Sequence, residues 1–197
     1  MPPDFGDPYT YPGTGVLRNK AGLREWETLK HFEHEQSASR LRELRMVAMP
    51  GHFDLAHLQA IHAYVFQDVY EWAGRVRTIN IMKGDTAFAL APYIENEAHK
   101  LSAALQSENH LQGLNTAQFV SRFAHYYTEW NVLHPFLDGN GRSTREFFRQ
   151  MAHTADYEID LTLIAHDPSR WMRASEQSVI GNLASTIEIF TTAIQRR

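Results

Sequence analysis

The sequence predicts a mainly α-helical domain carrying one small β-hairpin, and three observations predict it. Apolar residues recur three or four apart over most of the chain, the spacing that lines one face of a helix. The period changes in one stretch: Val76, Arg77, Thr78, Ile79, Asn80, Ile81 and Met82 form a β-prone run, followed by a Lys83-Gly84-Asp85 turn signal and Thr86-Ala87-Phe88-Ala89. The 197 residues, 43% hydrophobic and 12% aromatic, suffice for one sizeable core and are too few for two ordinary domains. A single domain over 1–197 is the expected organisation.

Residues 1–19 hold four of the eight prolines and three glycines, so they read as an extended, turn-rich arm that Tyr9 and Tyr11 pin to the body. Residues 20 to about 45 are helix-compatible, with Leu23, Trp26, Leu29, Leu41 and Leu44 at face spacing and a candidate break at 37–39, before Pro50-Gly51 stops the pattern. Asp54 is a good N-cap for a second helix bearing Leu55, Leu58, Ile61, His62 and Val65, ending before Gly74. Beyond the hairpin, helices are expected over 93–107 and 116–133, the second carrying Phe119, Phe123, Tyr126, Tyr127 and Trp130 for core packing. A further helix over 142–155 follows a loop, Asp167-Pro168 supplies an N-cap and first-turn pair for another, and a last helix over 183–195 closes the chain.

Composition removes several classes of function. With no cysteine there are no disulfides and no thiolate metal sites, which leaves His, Asp and Glu as metal ligands and suits a reducing cytoplasm. The opening residues lack the basic start and apolar run of a signal peptide, and no span of about 18 apolar residues occurs, so a cytoplasmic protein without membrane contact is expected. Nineteen basic against 23 acidic residues leave a formal charge of -4, without the positive excess of a direct nucleic-acid binder.

The chemistry concentrates in His134-Pro135-Phe136-Leu137-Asp138-Gly139-Asn140-Gly141-Arg142-Ser143-Thr144-Arg145, between two expected helices. Gly139 and Gly141 remove side chains on either side of Asn140, so backbone N–H groups there can turn inward as an anion-binding nest, reinforced by the dipole of the following helix. Arg142 and Arg145 lie three apart, on related helix faces, and suit different oxygens of a polyphosphate. Asp138 offers the single carboxylate by which Mg²⁺ is usually held together with substrate phosphates. His134 is the side chain of the loop that titrates near neutrality, hence the general base. Together these groups point to nucleotidyl or phosphoryl transfer.

The same twelve residues resemble the complete signature of the Fic family: His, any, Phe, any, acidic, Gly, Asn, Gly, Arg, two of any kind, Arg. That resemblance implies a mainly α Fic fold, a helical bundle with the active-site loop between two core helices and the hairpin as a flap. It implies a protein adenylyltransferase, in which His134 deprotonates the hydroxyl of a target protein as it attacks the α-phosphorus of ATP and pyrophosphate leaves. Asp138 would hold Mg²⁺ or Mn²⁺, Gly139, Asn140 and Gly141 would cradle the phosphates, Arg142 would bind the β- and Arg145 the γ-phosphate, and Phe136 would orient the loop from within. The flap maps to 79–89, where Ile79, Asn80, Ile81, Met82 and Lys83 would dock the target as an added strand, with Met82 and Lys83 the candidates for side-chain contact. Transfer of UMP, phosphoryl transfer, and a nucleotide- or partner-binding module without catalysis remain alternatives.

Family members also carry an inhibitory helix with Ser or Thr, three residues, Glu, then Gly or Asn. Here Glu precedes Asn only at Glu95-Asn96 and Glu108-Asn109, and the residues four before are Ala91 and Ala104, so that motif is absent. The expectation is a brake on another chain, a small antitoxin supplying an inhibitory Glu helix that anchors on Arg145. The segments 7–17 and 68–74 resemble the same toxin group. For that group the resemblance implies, as targets, the ATP-binding subunit of DNA gyrase and the matching subunit of topoisomerase IV.

Overall fold

A computed structural model of the chain describes residues 9–83 and 86–197. Residues 1–8 of the expected arm lie outside that range; the remainder is pinned as expected. Thr10 bridges Leu17, the Tyr9 hydroxyl hydrogen-bonds to Thr78 Oγ1 at 2.9 Å, and Arg18 and Arg24 stand over the Tyr11 ring. The first helix, α1 (Trp26–Met46), starts later than periodicity suggests. Asn19 accounts for the delay, since its side chain accepts from the Leu23 N–H and donates to the Leu17 and Leu23 carbonyls, holding 19–23 as a turn. No break occurs at 37–39, because the buried Ser37 hydroxyl is satisfied by the His34 carbonyl.

Asp54 caps α2 (Leu55–Phe66), accepting from the His57 N–H at 2.8 Å. The hairpin is shorter than its β-prone run: β1 (Met82–Lys83) pairs antiparallel with β2 (Thr86–Ala87), Met82 opposite Ala87. Residues 76–81 pair with no strand, since the Arg77 N–H donates to the Pro135 carbonyl at 2.9 Å. A short 3-10 turn leads into α3 (Ile94–Ser107). A capping box between Asn115 and Gln118 opens α4 (Thr116–Leu133), and α5 (Asn140–Thr154) follows the loop.

The C-terminal part departs from expectation. After β3 (Tyr157–Ile159) come α6 (Leu161–His166), α7 (Pro168–Val179) and α8 (Ala184–Ala193). The last helix ends two residues early because 194–196 become β4 (Ile194–Arg196), antiparallel to β3 with Tyr157 opposite Arg196. Neither this sheet nor α6 is legible beforehand, for three-residue strands are too short to show a period.

The architecture is mainly helical. α2 packs against both α1 and α5, while α4 meets α3, α5 and α8. The aromatics of α4 fill the core: Phe119, Phe123 and Trp130 are fully buried, with Phe123 edge-on to Phe148 and Phe190. Among the described residues no helix is long and apolar enough to cross a membrane. α4 and α5 thus form a rigid pair whose connecting loop is held at one end of the core.

Candidate active site

His134 is the C-cap of α4 and sits in the left-handed region, φ 46. Its Nδ1 lies 3.1 Å from the Asn131 carbonyl, which can only accept, so the neutral ring carries its proton on Nδ1 and its lone pair on Nε2. The Phe88 ring stacks on the imidazole with centroids 3.7 Å apart. Phe136 is fully buried, 3.9 Å from the His62 ring, the interior role expected of it.

Five residues later the chain enters α5, at Asn140 and not at Arg142 as expected, because Gly139 at φ 77 is its N-cap. Arg142 and Ser143 donate their N–H groups back to the Gly139 carbonyl, while those of Asn140 and Gly141 have no backbone acceptor, which is the orphan-donor end of a helix. The Asn140 side chain does not face this nest. It is buried and clasps the loop, accepting from the Phe136 N–H at 2.8 Å and donating to the Phe136 carbonyl at 2.7 Å. Asn140 therefore has only its main-chain N–H to offer a phosphate. At Gly139 a Cβ would stand 2.3 Å from the Phe66 ring, and at Gly141 it would press on the Arg145 guanidinium at 3.3 Å.

Both arginines line a cleft of about 580 Å³ between the first turns of α1 and the loop, together with Asp138, Glu33 and Tyr70. They differ in company. Arg142 ion-pairs with the Glu33 carboxylate, donates to Ser37 Oγ at 3.0 Å and lies over the Phe66 ring. Tyr70 donates its hydroxyl to the same carboxylate, and burial with that neighbouring negative charge raises its pKa. Arg145 has no carboxylate partner among the described residues; it sits beside the buried Tyr127 hydroxyl.

Asp138 carries a part-exposed carboxylate at the mouth of the nest and accepts from the Gly139 N–H. Among the described residues no group of three or more His, Asp and Glu forms a ready cage. The donor set fits a hard divalent ion taken through one carboxylate plus substrate oxygens, not an all-protein metal site. The Asp138 carbonyl is fixed by His62, whose Nε2 donates at 2.9 Å while Nδ1 accepts from the Gly74 N–H at 2.9 Å. Burial holds the His62 pKa down at about 4, so the ring stays neutral and keeps this tautomer.

On the flap, Ile79 is half-buried, Asn80 accepts from the Ala91 N–H, the Ile81 carbonyl faces the Phe88 N–H, and Met82 is 67% exposed. Lys83 pairs through its backbone; the assigned role of its side chain, and Gly84 and Asp85, lie outside the described residues. Sequence reasoning missed Glu33, Tyr70, Arg77 and Phe88. A signal existed for the first: Leu29, Glu33, Ser37 and Leu44 share the buried side of α1, so a carboxylate and a hydroxyl interrupt an apolar stripe.

Comparison with known proteins agrees with this geometry. The model of the Fic/DOC family matches residues 52–152. The chain is 37% identical over 188 residues to the Probable protein adenylyltransferase Fic of Escherichia coli strain K12, covering 95% of this chain and 92% of that one. It is 41% identical over 176 residues to the Protein adenylyltransferase VbhT of Bartonella schoenbuchensis, 89% of this chain but 36% of that longer protein. The fold superposes on the BepC protein of Bartonella tribocorum, solved with bound AMPPNP, at a TM-score of 0.90 and 26% identity, covering 96% and 97% of the two chains.

Proposed function

This chain belongs to the Fic/DOC family, and from that premise we propose that it transfers AMP from ATP to a hydroxyl side chain of another protein, with release of pyrophosphate. The observation that carries the reading is the meeting of two helix ends: a histidine with its lone pair on Nε2 closes α4, and an orphan N–H nest flanked by Arg142 and Arg145 opens α5. The names of the relatives, protein adenylyltransferases over 95% and 89% of this chain, point the same way.

In this reading the triphosphate lies along the α5 N-terminus, where the Asn140 and Gly141 N–H groups and the helix dipole meet its negative charge. Arg142, oriented by Glu33 and Ser37, takes the β-phosphate, and Arg145 the γ-phosphate. Mg²⁺ or Mn²⁺ at Asp138 would supply neutralisation of the phosphate oxygens. The target hydroxyl oxygen forms its bond to the α-phosphorus as the bond to the bridging oxygen breaks; His134 Nε2 accepts the hydroxyl proton and the electron pair leaves with pyrophosphate. The hairpin edge, with exposed Met82, is where the target segment docks as an added strand.

Incubation with ATP labelled at the α- or γ-phosphate, a divalent metal and bacterial lysate is the test. Label should enter a protein from the α-position alone and be lost in His134→Ala, with AMPPNP affinity retained; label arriving from γ alone would replace AMP transfer with phosphoryl transfer. For regulation, we propose a small antitoxin whose inhibitory glutamate anchors on Arg145, which lacks a carboxylate partner among the described residues. As targets in the cytoplasm we propose the ATP-binding subunit of DNA gyrase and the matching subunit of topoisomerase IV, supported by the resemblance to the toxin group. Mass spectrometry of those two proteins after incubation should find one added AMP; if both stay unmodified while another protein is labelled, the assignment moves to that protein.

A further inference from the structure

Arg77 is a buried cation, 2% exposed, without a carboxylate partner among the described residues. Its guanidinium donates to four carbonyls: Nε to His134 at 2.8 Å, Nη1 to Ile79 at 2.7 Å, and Nη2 to Ala89 at 2.5 Å and Leu133 at 3.4 Å. Two of these belong to the C-terminus of α4, where the helix dipole presents negative charge and compensates the arginine. The other two belong to the two legs of the hairpin, one before β1 and one after β2. These bonds tie the root of the flap to the backbone of the candidate base.

Two further contacts run along the same line. The Ala89 N–H donates to the Val132 carbonyl at 3.1 Å, and Phe88, next to it, stacks on the His134 ring at 3.7 Å and 15°. His134 also needs holding, because the left-handed conformation at φ 46 costs a non-glycine residue about 1 kcal/mol or more.

We propose that Arg77 is a positioning residue that couples the flap to the general base: it locks the left-handed backbone of His134 and both hairpin legs into one unit, so that a target strand docking on the hairpin also aligns the imidazole. The proposal rests on the reading of His134 as base and of the hairpin as docking edge, and deepens it by adding a route from docking to chemistry.

The test compares wild type with Arg77→Lys, whose point charge cannot span four carbonyls, and with Phe88→Ala, which trims a half-buried ring from the flap. Arg77→Lys should lower kcat for AMP transfer on the order of 10- to 100-fold, raise KM for the target, and leave the AMPPNP dissociation constant within about twofold, since Arg77 touches no part of the nest. Hydrogen–deuterium exchange should rise together at 79–82, 87–90 and 133–138. Phe88→Ala should show the same split, and the double variant should lose less than the product of the two single losses. Unchanged kcat in either variant, multiplicative losses, or AMPPNP affinity falling by the same factor as kcat would overturn the coupling. Should Arg77→Lys fail to fold, Phe88→Ala and its exchange at 133–138 decide alone. A wild-type chain that labels no protein sinks the AMP-transfer reading instead, a result the exchange data do not share.

Discussion

Gly139 shows how much a single position decides. Its φ of 77 lies where a Cβ is strained, and the Phe66 ring stands 2.3 Å from where that Cβ would be, so the sharp entry into α5 exists only with glycine. Gly139→Ala is expected to cost about 2 to 4 kcal/mol in urea unfolding, the sum of backbone strain and overpacking. Its AMPPNP affinity should fall as well, because the orphan N–H groups behind it would turn away. Asn140 teaches a complementary lesson: its place between two glycines suggests phosphate contact, yet its buried amide is taken up by the Phe136 backbone. Asparagine there shapes the loop that presents the N–H groups.

Among the elements, α1 contributes more than a covering helix. Through Glu33 and Ser37 it holds the Arg142 guanidinium over Phe66, and through Glu33 it also meets Tyr70, so the long first helix and the segment after α2 converge on one arginine of the loop. Glu33→Ala would leave that arginine and the buried Tyr70 hydroxyl without their common partner. We expect a loss on the order of 3 kcal/mol, read from the denaturation midpoint, together with weaker AMPPNP binding; Glu33→Gln should recover part of both by accepting from Tyr70. The hairpin acts similarly, less as two strands than as two legs fastened to the end of α4.

The whole molecule responds to pH through two buried histidines of α2. Burial lowers the pKa of His57, and it lowers that of His62 to about 4. Both folded values lie below the ordinary histidine range, so the unfolded chain takes up protons first, and stability present above about pH 6.5 is lost as pH falls toward 4. The His62 share approaches roughly 3 kcal/mol at the lower end. Thermal unfolding followed from pH 7.5 to 4.5 should show a falling midpoint that His57→Asn flattens in part; a midpoint insensitive to pH would contradict the neutral buried rings. Protonation of His62 would also set its Nδ1–H against the Gly74 N–H, releasing the Asp138 carbonyl.

The chemistry and most of the scaffold are legible in the chain before it folds. The spacing of His134, Asp138, the two glycines and the two arginines is local, set by a helix end, a short loop and a helix start, and local order can be read from a string. The helical periods of α2, α3 and α4 are legible for the same reason. Folding alone selects the distant side chains that complete the site: Glu33 and Ser37 lie more than a hundred residues before Arg142, and Arg77 is separated by 56 and 57 residues from the α4 carbonyls it caps. It also sets the pairing of β3 with β4, since hydrogen bonds between remote three-residue strands leave no period behind. Such contacts arise when packed helices bring their faces together, and no spacing along the chain records which faces will meet.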